Sequence, residues 1–167
     1  MKGKFIVFEG IDGSGKTTQI NQLSKWLNST DIIPENNQLV ITREPGGTKL
    51  GECIRSLLLD TSKEKKPDSI TELLLYAADR AQHVNEVIRP SLNKGDWVIS
   101  DRFTGSTIAY QGYGRKLNIK LIKELEMIAT QGISPDITFL LDIPVNESIK
   151  RRISRKEDRI EQEGRLF

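Results

Sequence analysis

Eight consecutive residues, Gly10-Ile11-Asp12-Gly13-Ser14-Gly15-Lys16-Thr17, carry the pattern G-x-x-x-x-G-K-[ST] in full. The three glycines free the backbone to turn so that successive N–H groups point inward at phosphate oxygens. A helix beginning at Lys16 would add the partial positive charge of its N-terminus. Lys16 is then the cation for β- and γ-phosphates. Thr17 offers a hydroxyl to Mg²⁺, which keeps several waters and needs only one or two protein oxygens besides the nucleotide.

Two more charged pairs follow apolar runs. Trp97-Val98-Ile99-Ser100 leads into Asp101 and Arg102, and an acid at such a strand end holds the metal through water. Arg43 and Glu44 follow the run 38–42 and precede Pro45-Gly46-Gly47-Thr48. In an open parallel sheet the ligand crevice lies at the carboxyl ends of the strands, so both pairs should face the same cleft as Lys16. A GTPase, an ATPase motor and a small-molecule kinase all share such a loop. Leu141-Asp142-Ile143-Pro144 stands where a guanine-reading Asn-Lys-x-Asp segment would be expected, which argues against a GTPase switch.

The elements that must position these groups are legible as periodicity. Apolar runs at 4–9, 38–42, 96–100 and 136–142 each predict a buried strand, and helical spacing occupies 16–28, 51–59, 70–92 and 118–132. Alternation of this kind predicts a parallel sheet with helices on both faces, the three-layer α/β/α arrangement of the P-loop NTPase fold. The charged stretch 61–68 reads as a connector. Beyond Pro144 charge dominates, and Arg151, Arg155 and Arg159 fall at i, i+4 and i+8, on one face if the segment is helical. That end lacks a core-forming apolar stripe and stops at Leu166 and Phe167, so the expectation is a C-terminally truncated chain.

A chain of 167 residues builds one domain with a self-sufficient core. Its single cysteine, Cys53, allows no internal disulfide and suits a reducing compartment, so the expected location is cytoplasmic. With 25 Lys and Arg against 23 Asp and Glu there is no basic field for nucleic acid. No stretch approaches the roughly 20 apolar residues of a membrane span.

The sequence resembles the thymidylate kinase family of P-loop nucleoside monophosphate kinases. The resemblance runs through Phe8-Glu9 and the phosphate loop to Thr18, Arg43-Glu44-Pro45-Gly46-Gly47-Thr48, Tyr76-Ala77-Ala78-Asp79-Arg80-Ala81-Gln82-His83, Asp101-Arg102-Phe103, Tyr110-Gln111-Gly112 and Asp158-Arg159-Ile160-Glu161-Gln162-Glu163. It implies phosphoryl transfer from ATP to dTMP with Mg²⁺, giving dTDP and ADP on the way to dTTP for DNA synthesis, in a homodimer. It implies that Tyr76 stacks on thymine, Arg80 meets the base carbonyl, Ser106 and Gln111 lie near the base, and Tyr110 crowds the 2′ position. By the same resemblance Asp12 receives the 3′-hydroxyl, Arg43 and Arg102 clamp the acceptor phosphate, and Glu44 joins Thr17 and Asp101 at the metal. Family members carry a catalytic arginine either at the place held here by Gly13 or in a lid. This sequence resembles the second type, with Arg151 and Arg155 as candidates in a lid near 147–163, and by the same resemblance the family's further strand and terminal helices are expected to be missing. A related kinase with another acceptor, and a nucleotide-binding fragment of weak or no activity, are the competing expectations.

Overall fold

The computed structural model describes residues 3–61, 66–152 and 159–160. Four strands, β1 (Phe5–Glu9), β2 (Leu39–Arg43), β3 (Trp97–Asp101) and β4 (Ile137–Leu140), pair in parallel in the order β2-β3-β1-β4. Around them run α1 (Lys16–Asn28), α2 (Lys49–Leu59), α3 (Ser69–His83), α4 (Arg89–Lys94), α5 (Thr104–Thr107), α6 (Ile119–Thr130) and α7 (Val145–Arg152). Strand side chains alternate between faces, and β1 supplies both cores. Phe5 and Val7 pack with Val84, Ile88, Leu92, Val98 and Phe103, whereas Ile6 and Phe8 pack with Ile20, Leu27 and Ile99.

The chain leaves β1 toward β2 on one side and leaves β3 toward β4 on the other. The crevice at this reversal lies at the carboxyl ends of β1 and β3. The register aligns those ends, with Phe8 beside Asp101 and Arg43 also beside Asp101.

Local chemistry sets the helix boundaries. The Thr48 side chain accepts from Gly51 N–H at 2.9 Å, so α2 starts at Lys49 rather than 51. Asp68 caps α3 by accepting from Ile70 and Thr71 N–H. The helix expected over 70–92 is one continuous rod in three parts, because Val84–Ile88 widens into a π-helical turn just before Pro90, which has no N–H to donate and crowds the preceding turn.

One expectation fails. β4 is not buried, since Ile137, Phe139 and Leu140 are 49%, 43% and 71% exposed. It is an edge strand of the described sheet, and with Trp26, Leu23 and Phe8 it lines an apolar groove against α1. Hydrophobicity predicted a strand correctly but could not say that only one side is covered. Among the described residues no helix is long and apolar enough to cross a membrane.

The packing asymmetry is measurable by urea denaturation. Ile99→Ala, at a fully buried site, should cost about 2–5 kcal/mol, and Phe139→Ala should cost well under the about 3–5 kcal/mol of a buried phenyl ring.

Candidate active site

The loop after β1 turns through left-handed conformations at Gly10 (φ +143°), Gly13 (φ +79°) and Gly15 (φ +97°), where a side chain would be strained. Its lysine is tied back: Lys16 Nζ donates to Gly10 O at 3.0 Å and Ile11 O at 3.2 Å, and lies 3.8 Å from Asp12 Oδ1. Burial, then the nearby Arg102 charge, lowers its pKa. Helix α7 covers the loop, with Ser148 Oγ donating to Asp12 O at 2.6 Å and Arg151 Nη1 reaching Gly13 O at 3.3 Å. A Cβ on Gly13 would stand 3.1 Å from Ser148 O, so this position has little room for a side chain.

Arg102 follows β3 with φ +74°, a costly conformation for a non-glycine residue and one that concentrates at functional sites. The turn aims its guanidinium at Asp12 Oδ1 (2.9 Å) and Ser106 Oγ (2.9 Å), over the Tyr110 ring (5.5 Å). Glu9, at the end of β1, braces this turn. Its carboxylate accepts from Phe103 N–H at 3.0 Å, Ser106 N–H at 3.2 Å and Ser106 Oγ at 2.6 Å. Residues 108–114 form a π-helical turn that carries Tyr110 and Gln111.

A cavity of about 620 Å³ unites these groups. It is lined by Asp12, Gly13, Gly15, Lys16 and Thr17, by Arg43, Glu44, Tyr76 and Arg80, by Asp101, Arg102, Ser106, Tyr110 and Gln111, and by Arg151. Leu59, Phe103 and Ile160 complete its apolar part. Gly10, Ile11 and Ser14 shape the loop without lining the cavity, and Arg155 lies outside the described residues.

The interior of this site is more ionic than its sequence suggested. Arg80 is 2% exposed, and its guanidinium donates to Glu44 Oε2 at 2.7 Å, Thr107 Oγ1 at 3.0 Å, Phe103 O at 3.0 Å and Glu126 Oε1. Four of its five N–H groups are thereby used, leaving one on Nη2. Both oxygens of Glu44 are engaged, Oε2 with Arg80 and Oε1 with His83 Nδ1 at 2.8 Å. Glu44, expected at the metal, is buried here and braces Arg80. Arg159 does not continue the face of Arg151 either. Helix α7 is described over Val145–Arg152, while Arg159 sits in a turn, buried, bonded to Leu58 O and Glu72 Oε2, each at 2.5 Å. Sequence reading missed Glu9, Glu72 and Glu126. The 72, 76, 79, 80, 83 spacing on α3 was an available signal, since it puts four ionisable groups on one face of a helix that must pack inward.

Divalent-cation chemistry fits what is present. Asp101 Oδ1 is buried without a hydrogen-bond partner, and burial raises this carboxyl's pKa against the opposing charges of Lys16 and Arg102. Thr17 lines the same cavity, and no cluster of three or more His, Cys, Asp or Glu occurs among the described residues. Such a site suits an ion that keeps its waters and takes its remaining ligands from phosphates.

A phosphate loop that faces a second set of guanidiniums across one cavity, on this parallel sheet, defines a P-loop kinase of small phosphorylated molecules. A family model described as thymidylate kinase matches residues 8–167. A thymidylate kinase of Prochlorococcus marinus strain NATL1A is 83% identical over 167 residues, covering all of this chain and 79% of that protein. One of Synechococcus sp. strain CC9311 is 61% identical, covering 99% and 78%. The crystal structure of thymidylate kinase from Ehrlichia chaffeensis superposes with a TM-score of 0.77 at 46% identity, over 90% of this chain and 82% of that one. The chain belongs to the thymidylate kinase family: it is a transferase of nucleotide biosynthesis that phosphorylates dTMP to dTDP with ATP.

One buried acid gives the site a pH dependence. Burial raises Asp79 to about 6, opposed by the Gly46 N–H bond at 3.0 Å. Between about pH 4 and 6 the native state holds a proton there that the unfolded chain does not, so this contribution is present at low pH and lost as pH rises through 6. Asp79→Asn keeps an acceptor for Gly46 and should flatten the stability profile from pH 4.5 to 8. The stability that wild type loses across that range, and the variant does not, should be about 2 kcal/mol, measured by urea denaturation.

Proposed function

We propose that donor and acceptor phosphates meet between Lys16 and Arg102, whose side chains both reach Asp12. This juxtaposition, at 3.8 and 2.9 Å, is the observation that carries the reading. Two anionic phosphates must approach for one to attack the other, and closely set guanidiniums offset their repulsion and fix an in-line geometry. Arg102 and Arg43 clamp the dTMP phosphate, and Asp12 takes the 3′-hydroxyl. Lys16 and the loop amides hold the ATP phosphates. An acceptor oxygen then forms its bond to the γ-phosphorus as the bond to the β-γ bridging oxygen breaks, with ADP leaving. Tyr76 stacks on the base, Arg80 offers its remaining N–H to a base carbonyl, Ser106 and Gln111 serve the base edge, and Tyr110 favours a deoxyribose.

Thr17 and Asp101 would hold Mg²⁺, which would offset the negative charge of the phosphates. From α7, Arg151 is the arginine we assign to the transferring group. Its contact with the loop at Gly13 supports this, and Arg155 in the same charged segment is its alternate. Such an arginine is worth roughly 10³ to 10⁵ in rate. We read the chain as one cytoplasmic domain with a lid near 147–163. A homodimer is supported by the exposed Ile70 and Leu74 on α3 and Met127 and Ile128 on α6, which are 45% to 72% exposed on two helices in contact.

The test is ADP release with ATP, Mg²⁺ and equal concentrations of dTMP, dUMP, dCMP, dGMP or AMP. Turnover should be greatest with dTMP and smaller with dUMP, since a methyl group is worth only about 1–3 kcal/mol. Arg102→Ala should abolish turnover while leaving an ATP analogue bound. Equal turnover of all acceptors would overturn the assigned base pocket. In a second measurement, Asp101→Asn should raise the Mg²⁺ concentration needed for half-maximal rate at least about tenfold, reflecting loss of one charge-assisted interaction. An unchanged Mg²⁺ dependence would remove Asp101 from the metal site.

A further inference from the structure

Glu72 lies on α3 one turn before Tyr76, is fully buried, and does not line the cavity. Its carboxylate nonetheless accepts four hydrogen bonds from the described residues. Oε1 accepts from Gln111 Nε2 at 2.8 Å and Arg115 Nε at 3.2 Å, and Oε2 from Arg115 Nη2 at 3.0 Å and Arg159 Nη2 at 2.5 Å. A carboxylate has about four lone-pair sites, so it is saturated. Burial opposes its charge, but the bonds from Arg115, Gln111 and Arg159 outweigh burial and keep it ionised.

An ionised carboxylate only accepts hydrogen bonds, so the Gln111 side chain can meet it only through its NH₂ group. This fixes which way an otherwise reversible amide points. Gln111 is 1% exposed yet lines the cavity, and no described hydrogen bond takes its Oε1. We propose that Glu72 is a specificity-positioning residue: by holding the Gln111 amide in one orientation, it presents a carbonyl oxygen to the acceptor base. The pocket then selects bases with an N–H donor on that edge and rejects those with a bare ring nitrogen. Thymine and uracil carry an imide N–H, whereas cytosine presents a lone pair. Arg115 and Arg159 keep Glu72 charged and in place. The proposal rests on the reading that dTMP occupies this end of the cavity.

The experiment compares kcat/KM for dTMP and dCMP. In wild type dTMP should be strongly preferred, and absence of any preference would defeat the acceptor reading itself. In Glu72→Gln the amide can reverse, and the dTMP-to-dCMP ratio should fall at least about tenfold, because a site that pairs a substrate N–H discriminates through groups otherwise left unpaired. Glu72→Asp keeps the charge for Arg115 and Arg159 but withdraws it from Gln111, and should lower the ratio while remaining folded. In a Gln111→Leu background, neither change at 72 should move the ratio further. ATP-analogue affinity should stay at the wild-type value throughout. The proposal is overturned if both acceptors lose the same factor in the Glu72 variants, or if the ratio moves equally with and without Gln111.

Discussion

A guanidinium buried at Arg80 constrains the whole cavity. Taking that charge out of water is costly unless carboxylates and carbonyls surround it, and removing one partner from such a cluster leaves an uncompensated charge in the interior. The partners come from separate parts of the chain: Glu44 from the loop after β2, Phe103 and Thr107 from the region after β3, and Glu126 from α6. Satisfying Arg80 therefore fixes those elements relative to α3, and with them the walls that carry Arg43, Arg102 and Tyr110. The interaction fixes geometry more than it adds stability, since an apolar cluster of similar volume would hold the helices as well.

The parallel sheet imposes the complementary constraint. Its reversal brings the loop after β1 and the turn after β3 side by side, so a cation-rich crevice is built from residues about 90 positions apart. Arg102 and Asp12 illustrate the result, with a contact of 2.9 Å made possible by a left-handed backbone at Arg102. That conformation is costly locally and is held by Glu9, which binds the N–H groups of Phe103 and Ser106. The strand-end carboxylate thus converts the rigidity of the sheet into the aim of an arginine.

How much of this was legible depends on the range over which each residue acts. The phosphate loop, α1 and the four strands are local patterns, and the structure returns α1 at 16–28, the bounds its periodicity predicts. Caps at Thr48 and Asp68 moved boundaries by one or two residues because they depend on one side chain meeting one N–H. Glu72 and Glu126 were not legible as site residues, and Arg159, read as part of a lid face, was not legible as a buried partner of Glu72. Each is a charge on a segment rich in charges, and only pairing across 46 to 87 positions shows that it is buried. The exposure of β4 was equally hidden, since an apolar run records that a strand forms and not how many of its faces are covered.

The same range argument separates two kinds of functional residue. In the proposed reading Lys16, Thr17 and Asp101 act directly on phosphate and metal, so their chemistry demands particular types at particular strand ends and leaves a motif. Glu44, Glu9 and Glu126 act through other side chains, and any fold that delivers an acceptor to the right atom would serve. Their types are constrained by electrostatics alone: each faces a cation or N–H groups that burial would otherwise leave unpaired. A carboxylate at such a place is as necessary to the geometry of transfer as the arginine it holds, although nothing in its sequence neighbourhood distinguishes it from a solvated surface charge.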